Sequence, residues 1–97
     1  MAVTTNYQRG RAYEYKAKKA LEELGYTVIR SAGSHGPWDV IACKEGEKVR
    51  CIQIKRTKSL PGLRRLLSTF VPVHNGHQDF HYVHELWVWY DARWYYA

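Results

Sequence analysis

The sequence predicts an α/β (α+β) fold, a central mixed β-sheet flanked by helices, and three features carry that expectation. Near the N-terminus, apolar residues recur at three- and four-residue spacings, as on one face of a helix. Two short apolar segments rich in strand formers then flank a glycine turn. A second amphipathic stretch follows, ahead of an aromatic run near the C-terminus. Helix, strands, helix, strands in that order reads as a sandwich around a mixed sheet.

Taken in order, residues 7–24 read as a helix, with Tyr13, Ala17, Ala20, Leu21 and Leu24 forming one stripe and Gly25 ending it. Tyr26–Arg30 reads as a strand, and SAGSHGP as a loop punctuated by Gly33, Gly36 and Pro37. Trp38–Cys43 and Val49–Lys55 read as an antiparallel hairpin turned by KEGEK. Ser59 is placed to cap a short helix with Pro61 in its first turn and Leu63, Leu66, Leu67 and Phe70 on one side. After a loop-like stretch, Tyr82–Tyr90 reads as a strand that Asp91 and Ala92 can turn into a last short one. No repeat, linker or low-complexity stretch interrupts the 97 residues, so a single domain over 1–97 is expected.

A chain this short has a modest core, which association with a second copy would enlarge. Hydrophobic residues make up 45% and charged residues 25%, values ordinary for a globular domain that argue against disorder. No apolar run approaches the roughly 20 residues that span a membrane, and the N-terminus has no signal-peptide core. The expectation is an intracellular, cytoplasmic protein with no membrane partner. Cys43 and Cys51 form neither a CxxC pair nor a zinc-ribbon spacing and are expected as reduced thiols. The net charge of +6 points to an anionic partner. Its distribution is more telling: from Lys48 to Gln78 there is no acidic residue, whereas Lys48, Arg50, Lys55, Arg56, Lys58, Arg64 and Arg65 all fall there. Solvated faces usually mix both signs, so Arg56, Lys58, Arg64 and Arg65 are candidates for phosphate contact.

The chemistry centres on the hairpin. Asp39 is charged in an otherwise apolar strand, and Gln53 and Lys55 interrupt the next strand two positions apart, which places them on one face. A turn centred on Gly46 pairs residue 39 with 53, bringing carboxylate, amide oxygen and ammonium to one end of the hairpin. One reading is an Asp39–Lys55 ion pair at a sheet edge. The other is a magnesium site, with Asp39, the Gln53 side chain and the Ile54 backbone oxygen as hard ligands and Lys55 holding water or phosphate. Glu14 lies at the edge of the helical stripe, where it either pairs with Lys18 one turn on or reaches the end of the adjoining sheet.

The series Gly10…Glu14, Arg30-Ser31-Ala32-Gly33-Ser34, Trp38-Asp39-Val40-Ile41-Ala42 and Gln53-Ile54-Lys55 resembles the archaeal-type Holliday junction resolvases of the PD-(D/E)XK nuclease superfamily. It covers residues 9–58, and its QxK element is shared in part with Mrr-like restriction nucleases. The resemblance implies a homodimeric endodeoxyribonuclease that uses Mg2+, with Mn2+ able to substitute, to cut opposed strands of a four-way DNA junction, and no small-molecule substrate. By position it implies Glu14, Asp39 and Gln53 around the metal, Lys55 assisting hydrolysis, and Ser34 near the scissile region. Arg9, Arg11 and Arg30 match basic positions near the DNA backbone, and His35, beside Ser34, is placed to position phosphate or water. The departure is Gln53, where most such resolvases carry glutamate. The alternatives are an Mrr-like nuclease of linear duplex and a nucleic-acid-binding module inactivated at Gln53.

His74, His77, His81 and His84 have zinc-like spacings, but on a loop and a strand they do not share a helical face, and loop histidines are the reading taken. Eight of the 14 aromatics follow Asp79. A stacking platform for single strands is one reading. Core and dimer interface, with Trp87, Trp89 and Trp94 at the contact, is the one preferred.

Overall fold

In the computed structural model, residues 6–30, 38–71 and 82–97 are described, with side chains from Gly10 onward in the first of these. The elements are α1 (Asn6–Glu23), β1 (Thr27–Arg30), β2 (Val40–Cys43), β3 (Val49–Arg56), α2 (Leu60–Thr69), β4 (Tyr82–Tyr90) and β5 (Arg93–Tyr96). The strands form one sheet in the order β1-β2-β3-β4-β5. All neighbours are antiparallel except β3 and β4, which run parallel. A parallel pair needs a crossover, and α2 lies in that connection. The expected mixed sheet with flanking helices is what forms. No helix of the described residues is long and apolar enough to cross a membrane.

Each face of the sheet carries its own core. On one, Ala17 and Leu21 of α1 pack on Val28, Val40, Ala42, Ile52, Ile54 and Trp87. On the other, Leu63 of α2 packs with Leu86 and Val88, and Leu66, Leu67 and Phe70 close the edge. The helical stripe expected on α1 holds except at Leu24, which is 59% exposed. The reason is the helix stop. Gly25 takes φ +92, its N–H donates to the Glu22 carbonyl, and that of Tyr26 donates to the Leu21 carbonyl. This Schellman arrangement needs a left-handed residue and swings the chain away one position early. The cap on α2 forms as expected, with Ser59 Oγ accepting from the Gly62 N–H at 3.1 Å.

Gly46, at φ +81, turns the β2–β3 hairpin. The pairs Val40↔Ile52, Ile41↔Cys51 and Ala42↔Arg50 follow, the register expected from a turn centred there. Asp91 and Ala92 both take positive φ, 50 and 60, in a two-residue turn closed by the pair Tyr90↔Arg93. Such a primed turn matches strand twist, although a left-handed alanine carries strain of about 1 kcal/mol.

One polar cluster ties the sheet together. Arg50 makes a two-pronged contact with Glu85, Nε and Nη2 each 2.6 Å from a carboxylate oxygen, and its guanidinium lies over the rings of Tyr26 and Trp87. Burial alone raises the Glu85 carboxyl. Hydrogen bonds from Arg50 and Trp87, with the Arg50 charge, outweigh it and hold the group below its usual value. A lowered folded value means stability that is present above the ordinary carboxylate range and lost as pH falls through the folded value. Glu85→Gln should therefore cost about 1.5–3 kcal/mol at neutral pH and flatten the loss of stability on acidification. Urea titrations at pH 7 and pH 3 check both.

Candidate active site

Three strand ends meet at one edge of the molecule. Arg30 at the end of β1 pairs with Val40, Val40 pairs with Ile52, and the run Gln53–Arg56 leaves at the same end. Parallel pairing brings the end of β4 there too, with Arg56 opposite Trp89. The first half of α1 lies over this end, since Glu14 reaches Arg30 and Tyr13 packs on Trp89 at 6.2 Å.

Asp39 precedes β2 and clasps β3 twice. Its backbone N–H donates to the Ile52 carbonyl at 2.9 Å, and its Oδ2 accepts the Ile54 N–H at 2.8 Å. The two bonds bracket Gln53. The clasp answers why a carboxylate stands in an apolar segment: it takes a backbone donor at the hairpin end and is thereby fixed in direction. Oδ1 is not used in this clasp. Gln53 and Lys55 alternate with the core residues Ile52 and Ile54, so they stand on the sheet face opposite α1. Gln53 is half-buried and Lys55 exposed. No Asp39–Lys55 ion pair forms among the described residues, so the edge salt bridge does not account for the pairing of these residue types.

Of the two sequence expectations for Glu14, the reach to the end of the adjoining sheet is the one that forms, and the pairing with Lys18 is not. Lys18 pairs with Glu22 instead, and the Glu14 carboxylate accepts from Arg30 Nη1 at 3.1 Å. That hydrogen bond is the first cause of the raised Arg30 pKa. Glu14 thus stands at the correct sheet end, next to the strand position that pairs with Val40, but on the α1 side and engaged by a cation. Arg11 hydrogen-bonds Tyr15 at 3.3 Å, and its guanidinium and that of Arg30 both lie over the Tyr15 ring.

Lys58, Arg64 and Arg65 are exposed, and Arg56 is half-buried with its guanidinium over Tyr13. Arg50, within the acid-free run, is neutralised by Glu85 from a strand 35 residues on. Ser34 and His35, with the side chain of Arg9, lie outside the described residues, as do His74, His77 and His81. His84, on β4, packs edge-on against Trp38 and Phe70, and burial lowers its pKa. Among the described residues no three His, Cys, Asp or Glu gather to hold a metal. The donor set at this edge comprises carboxylate and amide oxygens, the chemistry of a hard cation rather than zinc.

Trp87 corrects the interface expectation. It is 2% exposed and sits under α1 against Trp94 and Tyr96, so it has no surface left for a partner. Sheet alternation puts Trp89 on the same face, but near the strand end, where Tyr13 and Lys16 of α1 touch it and leave it half-buried. There it lines a cleft of about 320 Å³ with Tyr13, Arg56, Thr57, Lys58, Tyr90 and Asp91. Sequence reasoning did not find this cleft, because its walls come from α1, β3 and β4 and no local spacing joins them.

Residues 5–61 match the family described as archaeal Holliday junction resolvase (hjc). A curated relative, crossover junction endodeoxyribonuclease Hjc of Methanocaldococcus jannaschii, is 43% identical over 54 residues, which cover 54% of this chain. The chain spans 40% of the length of that relative. In fold it is similar to the solved structure of Archaeoglobus fulgidus Hjc, a Holliday junction resolvase from an archaeal hyperthermophile, with a TM-score of 0.60. That likeness extends over 91% of this chain and 70% of the other, at 20% identity.

Proposed function

Because this chain belongs to the archaeal Holliday junction resolvase family, we propose that it is a structure-specific endodeoxyribonuclease that cuts four-way DNA junctions by metal-dependent phosphodiester hydrolysis as a homodimer. The observation that carries this reading is the Asp39 clasp. A carboxylate held by the Ile54 N–H is presented beside Gln53, with Lys55 two residues on along the same face. Asp39, the Gln53 side chain, the Ile54 carbonyl and Glu14, once released from Arg30, are the residues that would hold Mg2+ or Mn2+. When bound, the cation would supply Lewis-acid stabilisation of the phosphate and a more acidic water. Lys55 is the exposed ammonium that contacts the phosphate oxygens as charge builds on them.

DNA would lie across the strand ends, contacted by Arg11, Lys58, Arg64 and Arg65, and by Arg30 where a phosphate replaces Glu14. Ser34 and Arg9 are assigned to this surface by the family resemblance, and His35 by its place next to Ser34 in the sequence. Gln53 favours a second reading, a binding module without turnover, since an amide supplies one negative charge fewer than glutamate. A junction offers two equivalent strands, and a twofold pair presents two sites. Trp94 remains a candidate for that contact.

The binding half of this reading is tested by salt. Junction affinity should fall steeply as ionic strength rises, because phosphate contact releases condensed counterions. Neutralising Arg11, Lys58 or Arg64 should each flatten the log–log slope by about one unit. Fluorescence anisotropy with a labelled junction gives the slopes, and a slope near zero would remove DNA from this surface.

A further inference from the structure

The cleft between α1 and the ends of β3 and β4 has no role in holding the metal, yet it opens one residue beyond Lys55. It is lined by the half-buried rings of Tyr13 and Trp89, with Thr57 and Tyr90 beside them, and its rim carries Arg56, Lys58 and Asp91. Each of the two facing rings is capped by a cation: Lys16 Nζ lies 4.6 Å from the Trp89 centroid and the Arg56 guanidinium 5.5 Å from that of Tyr13. Neither cation is in an ion pair among the described residues, in contrast to Arg30 and Arg50.

From this we propose that the cleft is a nucleotide subsite, in which an unpaired base of the DNA substrate stacks against Trp89 and Tyr13 while its phosphate is held by Arg56 and Lys58. The inference rests on the reading of the chain as a junction nuclease and names what the site would recognise near a branch point, where bases are least well stacked.

The relative magnitudes favour the exchange. An exposed cation over a ring contributes roughly two- to fivefold in an equilibrium, whereas a base stacked on an aromatic side chain contributes roughly 5- to 100-fold. A base entering the cleft displaces the weaker contact, and the released ammonium and guanidinium are free to meet the phosphates. A volume of about 320 Å³ is at the small end of ligand pockets, suited to one base and not to a duplex. Asp91 repels phosphate on its side of the rim and accepts from a base amino or imino group, so the phosphate falls to the Arg56–Lys58 side. The left-handed turn at Asp91 and Ala92 holds that carboxylate at the rim. Trp89 is thereby assigned to DNA rather than to a contact between copies.

The test uses a four-way junction carrying 2-aminopurine at the branch point, and a linear duplex of equal length, both without divalent metal. Binding of the unaltered protein to the junction should change the 2-aminopurine fluorescence. Trp89→Leu, which keeps apolar bulk but removes the stacking face, should weaken junction binding roughly 5- to 100-fold and abolish that change, with duplex binding unaltered. Trp89→Phe should restore most of the affinity. If Trp89→Leu does not fold by circular dichroism, Tyr13→Leu reads the facing wall and should act in the same direction. Unchanged junction affinity and fluorescence in folded variants would overturn the subsite alone. A loss of self-association by sedimentation, with DNA affinity per dimer unchanged, would overturn it in favour of an interface between copies. No binding of the unaltered protein to either DNA would overturn the nuclease reading and the subsite together.

Discussion

Asp39→Asn is expected to reduce strand cleavage by at least about a hundred- to a thousandfold, the range seen when one preorganised electrostatic contact is removed. The geometry makes this substitution selective. The Ile54 N–H needs an acceptor, and the asparagine carbonyl oxygen can supply it, so the hairpin end survives. That orientation turns the amide NH2 toward the side where Oδ1 had been available, and a donor cannot ligate a cation. Loss of a negative charge near phosphate also leaves DNA affinity equal or higher. Single-turnover cleavage on a labelled junction, with binding measured in parallel, checks the two halves. Turnover retained in Asp39→Asn would remove Asp39 from catalysis.

Lys55→Ala is expected to slow the chemical step by about a hundredfold or more with little effect on folding. Lys55 is exposed and makes no ion pair among the described residues, so its removal opens no cavity and strands no partner. The loss should appear at saturating protein, since one exposed cation contributes only modestly to affinity. Circular dichroism controls for the fold, and a near-normal rate in this variant would leave the Gln53–Lys55 pair without a catalytic meaning.

Much of this site is legible in the sequence because the hairpin is local. Gly46 sets the turn, the turn sets the register, and the register places residue 39 beside 53 before any long-range contact is considered. Asp39 also stands out as a charge in a segment that is otherwise apolar. What local pattern does not reveal are the pairings that depend on how distant elements lie. Glu14 meets Arg30 and not Lys18 because α1 crosses the end of β1. The charge of Arg50 is offset by Glu85 because β3 and β4 are parallel neighbours, with α2 in the connection. Trp87 and Trp89 share a sheet face by alternation, yet one is core and the other lines a cleft, since α1 buries Trp87 and covers Trp89 only in part, through Tyr13 and Lys16. Leu24 fits the helical stripe but falls past the Gly25 stop.

On the proposed reading, the Asp39–Gln53–Lys55 edge hydrolyses branched DNA with a hard metal ion despite the amide at position 53. The most direct measurement is cleavage of a four-way junction, each strand labelled in turn, beside a linear duplex of equal length, with magnesium and with a chelator. Nicks are expected at symmetric positions in two opposed strands of the junction, dependent on magnesium, with the duplex left uncut. Binding without cleavage at any magnesium concentration would contradict that reading in favour of a binding module, and equal cutting of the linear duplex would contradict it in favour of an Mrr-like nuclease.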